Sequence, residues 1–230
     1  MPFILFKVMN IQMIIVAAGS GIRFGSKIPK ALVLLRGKPL IAHSLTIFEQ
    51  IPAINGIIVV GHNGYLGRFE AVSRRFKKVR VVVAGGKARA DSVKCGLAVL
   101  DADTDIVLVH DAARPLIDSA IIERLVKALG KNKAVIAAVP VKATVKKVDP
   151  KTLGVMETLR RDLLWEAQTP QGFHKDVLVK AHARKFKGEA FDDAMLVEWM
   201  GVKVKVVMGN YRNIKITTPE DMTMAKGLMR

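Results

Sequence analysis

One cysteine, Cys95, stands among 230 residues. That excludes an internal disulfide and a cysteine-rich zinc centre. Five histidines are scattered along the chain with no His-x3-His pair, so a structural metal site is not expected. No uninterrupted apolar run reaches the ~18 residues that a membrane-spanning helix needs. Aromatic residues make up only 6% of the chain and form no RNA-binding pattern. Acids are also scarce: 20 Asp and Glu face 37 Lys and Arg, a net charge of +17. Such a surplus can signal nucleic-acid binding. Here the basic residues are spread along the whole sequence. The densest run, Arg74–Arg80, reads as a helix end leading into a strand, where cations are ordinary solvated caps. A polyanionic small substrate accounts for part of the charge, and neither a nucleic acid nor a membrane is expected as partner.

The opening Met1–Asn10 looks superficially like a short signal peptide but is not read as one. Lys7, Asn10 and Gln12 interrupt the apolar run and no basic residue precedes it. Met9 and Met13 are alternative starts, and a cytoplasmic location is the default expectation.

What is present is a chain with 50% hydrophobic residues, enough to bury one large core. Short β-branched runs at Gln12–Ala17, Gly56–Val60, Val79–Ala84, Ile106–His110, Ala134–Val139 and Val202–Met208 read as strands. Helical patterns cover Pro39–Gln50, Tyr65–Phe76, Ala90–Leu100, Ser119–Leu129 and Asp176–Phe186, with a last helix capped by Thr218. The alternation predicts a single α/β domain over residues 1–230, with a Rossmann-like, open, mostly parallel sheet covered by helices on both faces. Residues 141–164 break it. Two alternating stretches flank the turn signature Asp149-Pro150-Lys151-Thr152-Leu153-Gly154, which predicts a protruding β-hairpin arm. An isolated hairpin is marginal in water, so the arm either packs on a second copy, giving a dimer, or lies on its own subunit.

The segments that carry chemistry fall at expected strand ends, where open α/β sheets bind ligands. The first strand runs into Ala17-Ala18-Gly19-Ser20-Gly21-Ile22-Arg23, followed by Pro29-Lys30. Small residues admit a ligand close to the backbone, and two fixed cations suit a phosphoryl transition state. The loop is neither a Walker A loop nor the dinucleotide fingerprint, since it lacks Gly-Lys-[Ser/Thr] and places Phe24 where a small residue is needed. An ordinary turn with solvated Arg23 and Lys30 fits the loop equally well. Gly85-Gly86 precedes Asp91-Ser92, where the Ser92 hydroxyl can read a base edge or the Asp or Ser simply caps a helix after a glycine turn. His110-Asp111-Ala112-Ala113-Arg114 ends a strand with an acid and a cation, suited to a hydroxylated anion, a metal-bound phosphate or a plain surface pair. Trp165 reads as core, Thr169-Pro170-Gln171 as a pocket-lining turn, and Lys215 as lying on a short strand before the last helix.

Together, Ala17-Ala18-Gly19-x-Gly-x-Arg23 with Pro29-Lys30, Gly85-Gly86-x-x-Arg89-x-x-Ser92-Val93, Val109–Pro115, Pro140-Val141-x-x-Thr144, Arg161–Gln171 and Asn213–Asp221 resemble the 2-C-methyl-D-erythritol 4-phosphate cytidylyltransferase family, from about residue 12 to the C-terminus. The resemblance implies a nucleotidyltransferase-type fold in which the phosphate of methylerythritol phosphate attacks the α-phosphorus of CTP and pyrophosphate leaves. It implies Arg23 and Lys30 as catalytic cations. Ala17, Ala18, Gly19, Gly86, Ser92 and Ala112 would bind CTP. Asp111, Arg114, Thr144, Arg161, Thr169 and Lys215 would position the acceptor. Mg2+ is the implied cofactor, reached by Asp111 or held mainly by the CTP phosphates. The implied assembly is a homodimer whose arm residues Thr144 and Arg161 serve the neighbouring site. Three positions depart from the family pattern: Lys87 and Ala143 where acids are common, and Phe191 where a threonine is usual. They leave room for another polyol phosphate, such as ribitol 5-phosphate, as acceptor.

Overall fold

The computed structural model describes residues 9–19, 21 and 24–229. Its frame is a seven-stranded sheet in the order β11-β7-β10-β6-β1-β4-β5. These strands are β1 (Ile11–Ala17), β4 (Gly56–Gly61), β5 (Val79–Ala84), β6 (Ile106–Asp111), β7 (Ala134–Pro140), β10 (Trp165–His174) and β11 (Val204–Met208). Six run parallel, and β10 is antiparallel to both β6 and β7.

The two-residue period of the strands decides which helix covers which face. Ile11, Met13 and Ile15 of β1, with Ile57 and Val59 of β4, enter one core together with Ile41, Leu45 and Phe48 of α1 (Leu40–Gln50), Phe69 of α2 (Leu66–Ser73) and Leu125 of α4 (Ser119–Leu129). Ile14, Ile58 and Val60 enter the opposite core with Val93 of α3 (Arg89–Leu97), Leu178 of α5 (Lys175–Ala183) and Val197 of α6 (Asp193–Glu198). A third cluster joins Leu35 and Leu40 to Ile216, Met222 and Ala225, seating α7 (Pro219–Leu228) beside a small hairpin of β2 (Leu34–Leu35) and β3 (Lys38–Pro39). Thr218 caps α7 as expected, its N–H donating to the Asp221 carboxylate at 2.9 Å.

The expected strands and helices are present, with ends shifted by up to three residues. The differences have physical causes. Thr169-Pro170-Gln171 is not a turn but the middle of β10, where the register against β7 shifts between Ala167 and Gln171 and the Thr169–Pro170 bond is cis. A proline lacks a ladder donor, so a register irregularity is where a strand tolerates it. Trp165 is 42% exposed rather than core, and Lys215 lies on no strand.

The arm is a hairpin as expected. β8 (Lys146–Val148) pairs antiparallel with β9 (Val155–Thr158), and the Asp149 carboxylate accepts the Lys151 and Thr152 N–H groups to close the turn. Leu153, Val155 and Met156 are 62–78% exposed on it. No helix among the described residues is long and apolar enough to cross a membrane.

Candidate functional site: a cationic cleft at the strand ends

The order β4-β1-β6 places a topological switch beside β1, and such a crevice is where open sheets bind ligands. A cleft of about 630 Å3 opens there. The end of β1 supplies Ala17, Ala18 and Gly19; the loop after β5 supplies Gly85, Gly86 and Lys87. α3 adds Arg89 and Ser92, the end of β6 adds Asp111 and Ala112, and Lys30 and Lys215 close the rim. Nine of the residues assigned from the resemblance therefore share one cavity.

The glycine pair is required by space. A Cβ on Gly85 would sit 2.3 Å from Ala18 Cβ and 2.7 Å from Ser92 Oγ, and one on Gly86 would sit 2.3 Å from Asp91 Cβ. The backbone can thus form the cleft floor only without side chains there. Asp91, not Ser92, caps α3: its carboxylate accepts the Ala88 N–H at 3.1 Å. The buried Ser92 hydroxyl donates to the Ala88 carbonyl and keeps its lone pairs for the cleft.

Charge is concentrated on the β6 side. Asp111 Oδ1 accepts from Arg89 Nε at 3.0 Å, and Oδ2 pairs with Lys215 Nζ at 2.6 Å. Burial alone would raise the Asp111 pKa, but Arg89, then Lys215, outweigh it and hold the carboxyl well below the usual carboxylate range. Lys30 sits on a short 3-10 turn, and its ammonium donates to the Ile216 carbonyl.

Behind Asp111 runs a directional chain. The Asp111 N–H donates to Thr169 Oγ1 at 3.1 Å, that hydroxyl donates to His110 Nδ1 at 3.1 Å, and His110 Nε2–H donates to the Arg114 carbonyl at 3.2 Å. This order requires a neutral imidazole. Burial pushes the His110 pKa down to about 3, which keeps it neutral.

Other assigned residues lie elsewhere. Thr169 is buried behind the cleft and acts through its hydroxyl on the Asp111 backbone. Arg114 borders an adjoining 220 Å3 cavity that shares Lys215, and its guanidinium donates to the Asn213 and Ala167 carbonyls. Thr144 and Arg161 are exposed on the arm, outside the cleft. Arg23 lies outside the described residues. Of the departures, Lys87 lines the cleft, Ala143 is exposed on the arm, and Phe191 is 83% exposed.

The donor set does not fit a metal held by the protein. Among the described residues no three His, Cys, Asp or Glu side chains converge as ligands. Asp111, the one acid on the cleft wall, has a cation on each oxygen, and these repel a third.

Sequence reasoning missed three contributors: Arg89, quoted in its motif but given no task, and Asp193 and His182, which hold it. Asp193 Oδ2 takes Arg89 NH1 at 2.7 Å and Oδ1 takes His182 Nε2 at 2.9 Å. Only the three-dimensional packing of α3, α5 and α6 brings them together, so no spacing in the sequence could have signalled it.

The family model for 2-C-methyl-D-erythritol 4-phosphate cytidylyltransferase matches residues 11–230. A protein of that name from Alkaliphilus metalliredigens is 44% identical over 225 residues, covering 96% of this chain and 93% of the relative. The crystal structure of 4-diphosphocytidyl-2C-methyl-D-erythritol synthase from Anaerococcus prevotii superposes with a TM-score of 0.85 at 33% identity, covering 97% of this chain and all of that one. The cytidylyltransferase structure from Thermus thermophilus gives 0.78 at 30% identity, covering 96% and 98%. With residues 11–230 matched by the family model and nearly the whole chain by the relatives, the chain belongs to the 2-C-methyl-D-erythritol 4-phosphate cytidylyltransferase family.

Proposed function

We infer that the chain transfers a cytidylyl group from CTP to 2-C-methyl-D-erythritol 4-phosphate, releasing pyrophosphate, as a step of non-mevalonate isoprenoid precursor synthesis. The observation that carries this reading is the cationic cleft at the switch point, where a glycine floor for a nucleotide faces an Asp111–Lys215 wall for a hydroxylated phosphate. An acceptor phosphate oxygen bonds to the α-phosphorus while the bond from that phosphorus to the bridging oxygen breaks, and the electron pair leaves with pyrophosphate.

The chain's part is placement and charge. Ala17, Ala18, Gly19 and Ala112 pack on the nucleotide, Gly86 and Ser92 read the cytosine edge, and Arg23 and Lys30 meet the charge that grows at the α-phosphate. Lys215 and Arg114 hold the acceptor. The remaining lone pairs of Asp111 accept its hydroxyl protons, a task that the two neighbouring cations do not oppose. Mg2+, if bound with the nucleotide, would offset the charge of the triphosphate. Residues 1–230 work as one nucleotidyltransferase domain. The exposed apolar face of the 141–164 arm makes a homodimer that carries Thr144 and Arg161 to the partner's site.

Mixing the protein with CTP, methylerythritol phosphate and Mg2+ should release pyrophosphate, and Lys30→Ala should lower kcat by about 10²-fold, as for a lost transition-state donor. No release with any polyol phosphate defeats the activity, and near-normal turnover in the variant defeats the role of Lys30.

A further inference from the structure

Four side-chain contacts run in series from α5 into the cleft: a hydrogen bond from His182 to Asp193, then ion pairs of Asp193 with Arg89, Arg89 with Asp111 and Asp111 with Lys215. The series begins on α5, where the His182 side chain is 2% exposed and does not line the cleft. It then crosses to Asp193, the 1%-exposed first residue of α6. The start of α6 is itself clamped to β10. Gln171 donates to Asp192 Oδ2 at 2.7 Å and accepts the Ala194 N–H at 3.1 Å.

Arg89 therefore stands between two carboxylates and one guanidinium must serve both. Left to itself, a guanidinium closes on one carboxylate with two parallel hydrogen bonds. Here it does not. It gives NH1 to Asp193 and Nε to Asp111, while NH2 is buried with no hydrogen-bond partner. The Asp193 oxygen that could complete a two-point contact is Oδ1, and there the His182 Nε2–H donates at 2.9 Å, competing for its lone pairs and turning it away from Arg89. The bare Nδ1 of His182 fits that proton placement, with Nε2 as donor.

We propose that His182 is a positioning residue for the reaction: by holding Asp193 Oδ1 it keeps Arg89 from collapsing onto Asp193, so that the Arg89 Nε remains on Asp111 at the acceptor wall. The kinetic half of this inference rests on the cytidylyltransferase reading, whereas the geometric half does not.

Two measurements on the full-length protein test it. In steady-state assays, His182→Leu should raise KM for methylerythritol phosphate about five- to tenfold, the scale of one lost hydrogen bond, with kcat and the CTP KM within about twofold. His182→Gln, whose amide can donate to Oδ1, should restore the wild-type KM. In NMR spectra of 15N-arginine-labelled protein, the Arg89 Nε–Hε signal should be protected from solvent exchange in wild type and His182→Gln. In His182→Leu it should exchange at least about tenfold faster, because its carboxylate partner is gone.

An unchanged Arg89 signal in folded His182→Leu overturns the proposal. So does an acceptor KM that stays at the wild-type value, a Gln variant no better than Leu, or a loss of kcat and both affinities in step with lost folded protein. An inactive wild-type enzyme would refute the activity, and the Arg89 exchange rates would still decide whether His182 places the guanidinium.

Discussion

His110 shows how a residue that touches no substrate shapes the wall of the cleft. It is fully buried against Phe48, whose ring meets it edge-on at 5.0 Å, and it closes the chain from the Asp111 amide through Thr169. The consequence is a pH-dependent stability with a definite sign. The folded His110 pKa, about 3, lies below that of an unfolded histidine, near 6.5. Its contribution is therefore complete above about pH 6.5 and is lost as pH falls toward 3, because the unfolded chain takes up a proton that the folded chain refuses. Asp111 and Asp193 are also held below their ordinary values, so they contribute above the unfolded carboxylate range, near pH 4, and add to the loss only below it. Urea denaturation between pH 4.5 and 6 should thus isolate the histidine. The difference between wild type and His110→Gln should change by about 1.4 kcal/mol per pH unit. Parallel pH profiles for the two proteins would show that His110 is not held neutral.

Much of the sheet was readable at the level of elements, because β-branched runs fully buried on both faces, such as Ile57–Val60, have little alternative. What escaped was short or irregular. β10 contains Pro170, which argues against a central strand until its register shift is seen; α6 has six residues, too few to show a period; β2 and β3 have two residues each. The site was legible where its residues cluster in sequence, as at residues 17–19, 85–92 and 111–114. It was opaque where Asp193 of α6, bonded to His182 of α5, reaches Arg89 from 104 residues away. Spacing alone also could not show that Asp111 has a cation on each oxygen.

The arm carries its own prediction. β8 and β9 hold Val155 and Met156 in the open, each 62% exposed, on a two-stranded sheet of the kind that needs a partner. Val155→Asp combined with Met156→Asp should convert a dimer to a monomer in sedimentation velocity and lower turnover, since Thr144 and Arg161 then reach no second site. A wild-type protein that sediments as a monomer would refute the arm's role.

For the whole molecule, the surplus of basic residues finds a partial use. Lys30, Lys87, Arg89 and Lys215 line one cleft with Asp111 as the single acid among its described residues, a setting that favours a triphosphate and a polyol phosphate together. The rest of the +17 charge has no structural explanation. Of the three positions that depart from the expected pattern, Phe191 is exposed, cannot donate a hydrogen bond, and lies two residues before Asp193, which anchors Arg89. Acceptor identity is therefore the sharpest test. In a competition assay with CTP and Mg2+, kcat/KM for 2-C-methyl-D-erythritol 4-phosphate should exceed that for ribitol 5-phosphate by at least about tenfold, the discrimination expected of a wall that pairs with substrate hydroxyls. Equal values, or a preference for ribitol 5-phosphate, would contradict the assignment of this cleft to methylerythritol phosphate.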